Sequence, residues 1–102
     1  MGEVDVRTAA ALAAGGAPLI DVREPDEYEE VRASGAVPIP LGDVPARIEE
    51  IPRDRTVYVI CRSGGRSLRA AEFLAASGVD AVNVAGGTLA WVDADLPVER
   101  GR

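Results

Sequence analysis

Apolar residues recur along this chain in two alternating rhythms. Short apolar runs at Leu19 to Val22, Val57 to Ile60 and Ala81 to Val84 read as strands covered on both faces by helices. Between them the spacing changes to a helical period. It predicts helices over Thr8 to Ala14 with Thr8 as cap, Pro25 to Val31, Asp43 to Glu50, and Ser67 to Ser77 stopped by Gly78. In the last of these, Leu68, Ala71, Leu74 and Ala75 share one face, and Arg69, Glu72 and Ala76 lie on the other. A short edge strand is expected at Val4 to Val6, and a closing helix at Thr88 to Asp93 carries Trp91 into the core. Strands alternating with helices, with no repeat or low-complexity linker, predict one α/β domain over residues 1–102 on a mostly parallel sheet.

One junction in this pattern carries chemistry. Cys61 stands where the second strand ends, and Arg62-Ser63-Gly64-Gly65-Arg66 leads from it into the helix that begins at Ser67. Two adjacent glycines permit positive φ and close backbone approach, so successive amides from Arg62 to Ser67 turn inward as an anion-binding nest. Those amides, the helix dipole and the guanidinium of Arg62 or Arg66 favour thiolate over thiol. A cysteine that only fills space has no reason to be followed by poor packing residues that are good anion ligands.

Composition narrows the choice. With 17 acidic and 11 basic residues the formal charge is −6, which leaves no basic stripe for nucleic acid. A single cysteine excludes an intrachain disulfide, and the absence of histidine excludes the usual zinc sets and cysteine-histidine dyads. No metal or organic cofactor is expected, and activation of Cys61 must come from the local field. The residues suggest a reduced, cytoplasmic setting, with neither a signal peptide nor a membrane span.

Cys61-Arg62-Ser63-Gly64-Gly65-Arg66-Ser67 resembles the active-site loop of single-domain rhodaneses, the thiosulfate sulfurtransferase-like proteins. Three further blocks agree in order: Leu19-Ile20-Asp21-Val22-Arg23-Glu24-Pro25 with Glu27-Tyr28, then Gly35-Ala36 with Ile39-Pro40-Leu41, then Gly86-Gly87, Ala90-Trp91 and Leu96-Pro97-Val98. The resemblance is strongest over residues 18–98. It implies a rhodanese-like three-layer fold, with a central five-stranded, mostly parallel sheet and helices on both faces. It also implies that Cys61 takes the outer sulfur of thiosulfate as a persulfide and passes it to cyanide or a thiol. Carried over by position, Arg62, Ser63, Gly64, Gly65, Arg66 and Ser67 form the substrate-binding loop. Asp21 and Arg23 support loop and strand geometry through a buried ion pair.

The chain departs from the family pattern at three positions. Arg32 stands in the place of the family's histidine, Asp95 where a glycine often precedes Leu-Pro, and Gly65 where an asparagine is frequent, which would loosen the loop. Related phosphatases and arsenate reductases have five residues between cysteine and arginine, whereas four separate Cys61 from Arg66. The remaining alternative is a sulfur-carrier or regulatory module that exchanges sulfur with a protein donor or acceptor and has little thiosulfate activity. A monomer is expected.

Overall fold

The three apolar runs become the centre of a five-stranded sheet. A computed structural model describes residues 2–101. In chain order the elements are β1 (Gly2–Val4), α1 (Val6–Ala14), β2 (Leu19–Asp21), α2 (Pro25–Glu30), β3 (Arg32–Ala33) and β4 (Val37–Pro38). Two 3₁₀ turns follow, Leu41–Asp43 and Ile48–Glu50, then β5 (Val57–Ile60), α3 (Gly65–Ala76), β6 (Ala81–Val84), α4 (Gly87–Asp93) and β7 (Val98–Glu99). The sheet runs β1-β6-β5-β2-β4 with every pairing parallel. The carboxyl ends of all five strands therefore share one edge, where an α/β sheet places its binding crevice.

Side-chain alternation divides the core into two layers. Ile20, Val57, Val59 and Ala81 pack with Ala70, Ala71 and Leu74 of α3. Leu19, Ile60 and Val84 pack on the opposite face with Val6 and Ala9 of α1 and Trp91 of α4. Burial on both faces explains why these strands read as apolar runs. Trp91 is buried as expected, and its Nε1 donates to the Pro97 carbonyl at 2.8 Å.

Several expectations are corrected. The first helix begins at Val6 and is capped by Asp5, whose Oδ1 accepts from the Thr8 amide at 2.8 Å; Thr8 is thus the third helical residue, and the edge strand ends at Val4. Asp43 to Glu50 forms no continuous helix. Pro45 has no amide to donate, and the bonds mix spans, with Arg47 N reaching Asp43 O and Glu50 N reaching Arg47 O. In α3 the buried face is Ser67, Ala70, Ala71 and Leu74, while Leu68 and Ala75 are exposed. Ala71 and Leu74 stay inside, and the buried face is rotated by roughly 60° toward Ser67, whose buried contacts fix the phase of the helix. The antiparallel pair β3–β7 and the strand β4 are two residues each, too short for an apolar rhythm to announce.

Candidate active site

The chain leaves β5 at Ile60 and enters α3 at Gly65, so four residues, Cys61 to Gly64, make the turn. Gly64 closes it at φ 116°, a left-handed conformation that a side chain would strain. Its amide then points at the sulfur, with Gly64 N 3.1 Å from Cys61 Sγ. Gly65 is already helical and faces open space, so no contact there demands a glycine.

A second glycine pair holds the loop from outside. Gly86 and Gly87 let the start of α4 approach so closely that Cys61 O accepts from Thr88 N at 2.8 Å and from Thr88 Oγ1 at 3.0 Å. Arg62 O accepts from Leu89 N at 3.1 Å. With its carbonyls tied to α4, the loop has its amides left to face the sulfur. Gly87 has φ 59°, and a Cβ there would lie 2.5 Å from the carbonyl oxygens of both Cys61 and Arg62. Gly87→Ala is expected to destabilise the fold by about 2 kcal/mol and to slow Cys61 alkylation at pH 7. Thermal unfolding and iodoacetamide kinetics check this; an unchanged protein would show that the clamp yields freely.

Cys61 itself is 1 % exposed, at the floor of the loop. Burial raises its thiol pKa, but the Ser67 hydroxyl and the amides of Ser67, Gly64 and Ser63 stabilise the thiolate more, leaving the pKa below its ordinary value. Ser67 Oγ lies 3.3 Å from Sγ. Among the expected site residues, Ser63, Gly64 and Ser67 therefore act directly on the sulfur.

The two loop arginines separate. Arg66 is closed onto α2, with Nη1 2.7 Å from Glu27 Oε1 and Nη2 2.9 Å from Glu27 Oε2. The Arg66 guanidinium lowers the Glu27 carboxyl to about 2. Because that folded value lies below the ordinary one, the pair is intact at neutral pH and is lost only as pH falls toward 2. Arg62 is exposed and makes no ion pair among the described residues. It lines a groove of about 390 Å³ with Arg23, Thr88, Leu89, Val92 and Arg100.

Asp21 and Arg23 flank the site as a buried pair, 0 % and 4 % exposed. Arg23 Nε and Nη2 donate to the Asp21 carboxylate at 3.0 and 2.8 Å, and Nη2 also donates to Val31 O at 2.7 Å. This ties the end of β2 to the end of α2. Arg32 is held away from chemistry: it lies over the Tyr28 ring at 4.6 Å and donates to the Tyr28 and Gly101 carbonyls. Asp95, at φ 57°, takes the left-handed conformation that a glycine would adopt freely. Among the described residues, no group of three or more Cys, Asp or Glu side chains is placed to share a metal ion.

Sequence reasoning assigned no role to Glu27, Thr88, Asn83 or Glu3. The signal that could have found Asn83 is that it is the one polar residue in the run Ala81 to Val84. It is 1 % exposed and receives the Ser67 hydroxyl at 2.6 Å.

Known proteins resemble this chain in sequence and fold. The family model described as "Rhodanese-like domain" matches residues 4–94. A protein of Allochromatium vinosum named "Sulfurtransferase" is 40% identical over 81 residues, covering 78% of this chain and 76% of its own. "Thiosulfate sulfurtransferase 18" of Arabidopsis thaliana is 36% identical over 111 residues, covering 93% and 81%. The crystal structure of a rhodanese-related protein from Thermoplasma volcanium superposes with a TM-score of 0.88 at 28% identity, covering 97% of this chain and 98% of that one.

Proposed function

The chain belongs to the rhodanese-like domain family, and from that premise we propose that it is a sulfurtransferase that carries sulfane sulfur as a Cys61 persulfide. The observation that carries the reading is a buried sulfur with a lowered pKa at the floor of an amide-lined loop, in a chain with no histidine to act as base. A sulfur so recessed is reached by a terminal sulfur atom on a narrow donor. With thiosulfate, the Cys61 thiolate attacks the outer sulfur, the S–S bond breaks, and sulfite leaves with the electron pair. The negative charge then rests on the terminal persulfide sulfur, where the loop amides and the amino end of α3 stabilise it. Cyanide or a thiolate removes that sulfur as thiocyanate or a new persulfide, and Cys61 returns as thiolate. No proton transfer is required in either step.

The Arg66–Glu27 pair favours a second reading alongside thiosulfate, namely loading from a persulfide donor. A dianion meets Arg66 already neutralised by Glu27, whereas a persulfide carrying one charge needs only the amide cradle and Arg62. Glu27→Gln keeps an acceptor for the Glu24 amide, which now donates to Glu27 Oε1 at 3.0 Å, and releases the Arg66 charge. It is expected to lower the KM for thiosulfate about threefold to tenfold with little change for a persulfide donor. Initial rates with the two donors test this. An unchanged thiosulfate KM would show that Glu27 does not withhold Arg66.

Thiocyanate formation from thiosulfate and cyanide, compared with transfer from a persulfidated protein or small thiol, tests the function. Transfer from either donor supports it; failure with both, with Cys61 still reactive toward alkylation, overturns it.

A further inference from the structure

Behind Cys61, on the side of α3 and β6, a row of polar groups runs from the sulfur to the edge of the sheet. Ser67 and Asn83 are 0 % and 1 % exposed, and Glu3 stands on the exposed edge strand β1, in register with Asn83. Asn83 Nδ2 lies 3.0 Å from Glu3 Oε2 and 3.4 Å from Gly64 O. Both of these atoms only accept, so the amide nitrogen must face them, and Asn83 Oδ1 must face Ser67. Ser67 Oγ is 2.6 Å from that oxygen, 3.2 Å from Gly64 O and 3.3 Å from Cys61 Sγ. A hydroxyl has one proton, and three acceptors surround this one. The shortest contact, to Asn83 Oδ1, competes for it, so the stabilisation that the Ser67 hydroxyl gives the Cys61 thiolate comes at the cost of the Asn83 bond.

We infer that Glu3, acting through Asn83, is a positioning residue that decides whether the single hydroxyl proton of Ser67 is directed to the Cys61 sulfur or held away from it. With Glu3 ionised, the Asn83 amide is pinned with its oxygen toward Ser67 and competes with the sulfur. When the carboxylate is replaced by an amide, only the long contact to Gly64 O at 3.4 Å is left to favour that orientation, and it is too weak to hold it. Asn83 then turns its nitrogen to Ser67 Oγ, and the hydroxyl proton passes to the sulfur. The inference rests on Cys61 being the reactive group and deepens that reading: Glu3 keeps the thiolate less stabilised, and so more nucleophilic, than the loop alone would make it.

The other charged groups near the loop are Arg62, Arg66 with Glu27, and Asp21 with Arg23. They are identical in every variant of the following cycle. The rate of iodoacetamide alkylation of Cys61 against pH is measured for the wild type, Glu3→Gln, Ser67→Ala and the double variant. Glu3→Gln is an exposed, near-isosteric change that leaves the fold intact. It is expected to shift the alkylation midpoint about half a unit to lower pH, an increase of about threefold in thiolate below the midpoint. In the Ser67→Ala background the same change should shift nothing. An equal shift in both backgrounds would show a direct effect of the Glu3 charge, and no shift in either would show no connection; each overturns the inference. Alkylation needs no sulfur donor, so failure here is distinct from failure of the sulfurtransferase reading.

Discussion

Cys61→Ala is expected to reduce sulfur transfer from every sulfane donor by at least about a thousandfold, to the uncatalysed background. The reason is particular to this loop. The charged groups that surround the sulfur orient and stabilise, but none of them forms a bond to the transferred atom. The chain has no second cysteine to take over. The same substitution removes one small buried atom, so the unfolding midpoint should move by only a few degrees. Activity that survives in a folded Cys61→Ala protein would place the sulfur carrier elsewhere and overturn the site. Cys61→Ser should be equally inactive, because the serine hydroxyl stays protonated at neutral pH and is a far weaker nucleophile toward sulfane sulfur than the thiolate.

The second large effect is on stability. Asp21→Ala leaves the Arg23 guanidinium 4 % exposed and without its carboxylate, keeping only Val31 O as an acceptor. Breaking one side of a buried pair costs about 3–5 kcal/mol, which in a domain of this size lowers the unfolding midpoint by roughly 15 °C or more. Replacing both partners together, as Asp21→Leu with Arg23→Met, should recover much of that loss, because no buried charge is then left alone. Thermal unfolding of the single and double variants checks both statements. A single variant within a few degrees of the wild type would mean that Arg23 finds water readily and that the pair does not brace the junction of β2 and α2. Activity measured well below the midpoint separates this bracing from chemistry: a folded Asp21→Ala protein should retain turnover.

What the sequence disclosed and what it withheld follow from range. Leu19–Asp21, Val57–Ile60 and Ala81–Val84 were legible because burial on both faces leaves a mostly apolar run, interrupted only by the buried polar residues Asp21 and Asn83 and by Tyr58. Cys61 was legible because Arg62, Ser63, Gly64 and Gly65 make no sense as core packing. The phase of α3 was not legible. Leu68 and Ala75 are as apolar as Ala70, and only the contacts of Ser67 with Cys61 and Asn83, formed across the sheet, decide which face turns inward. Arg66, expected in the substrate-binding loop, stands in the first turn of α3. Its partner Glu27 lies 39 residues away in the chain, however, and no local pattern announces that the two close on each other. Gly87 showed itself as half of a glycine pair. Its purpose, to let α4 touch the carbonyls of Cys61 and Arg62, is a contact between distant segments. Two-residue strands such as β4 are held by parallel pairing to β2 and carry no periodicity of their own.

The central claim is that Cys61 holds sulfane sulfur, and intact mass of the purified protein tests it most directly. The protein is measured before and after incubation with thiosulfate or with a persulfide donor, and again after cyanide, beside Cys61→Ala. The account predicts a gain of one sulfur atom, removed by cyanide and absent from the variant. No gain from either donor, while Cys61 in the same sample still alkylates, would contradict it.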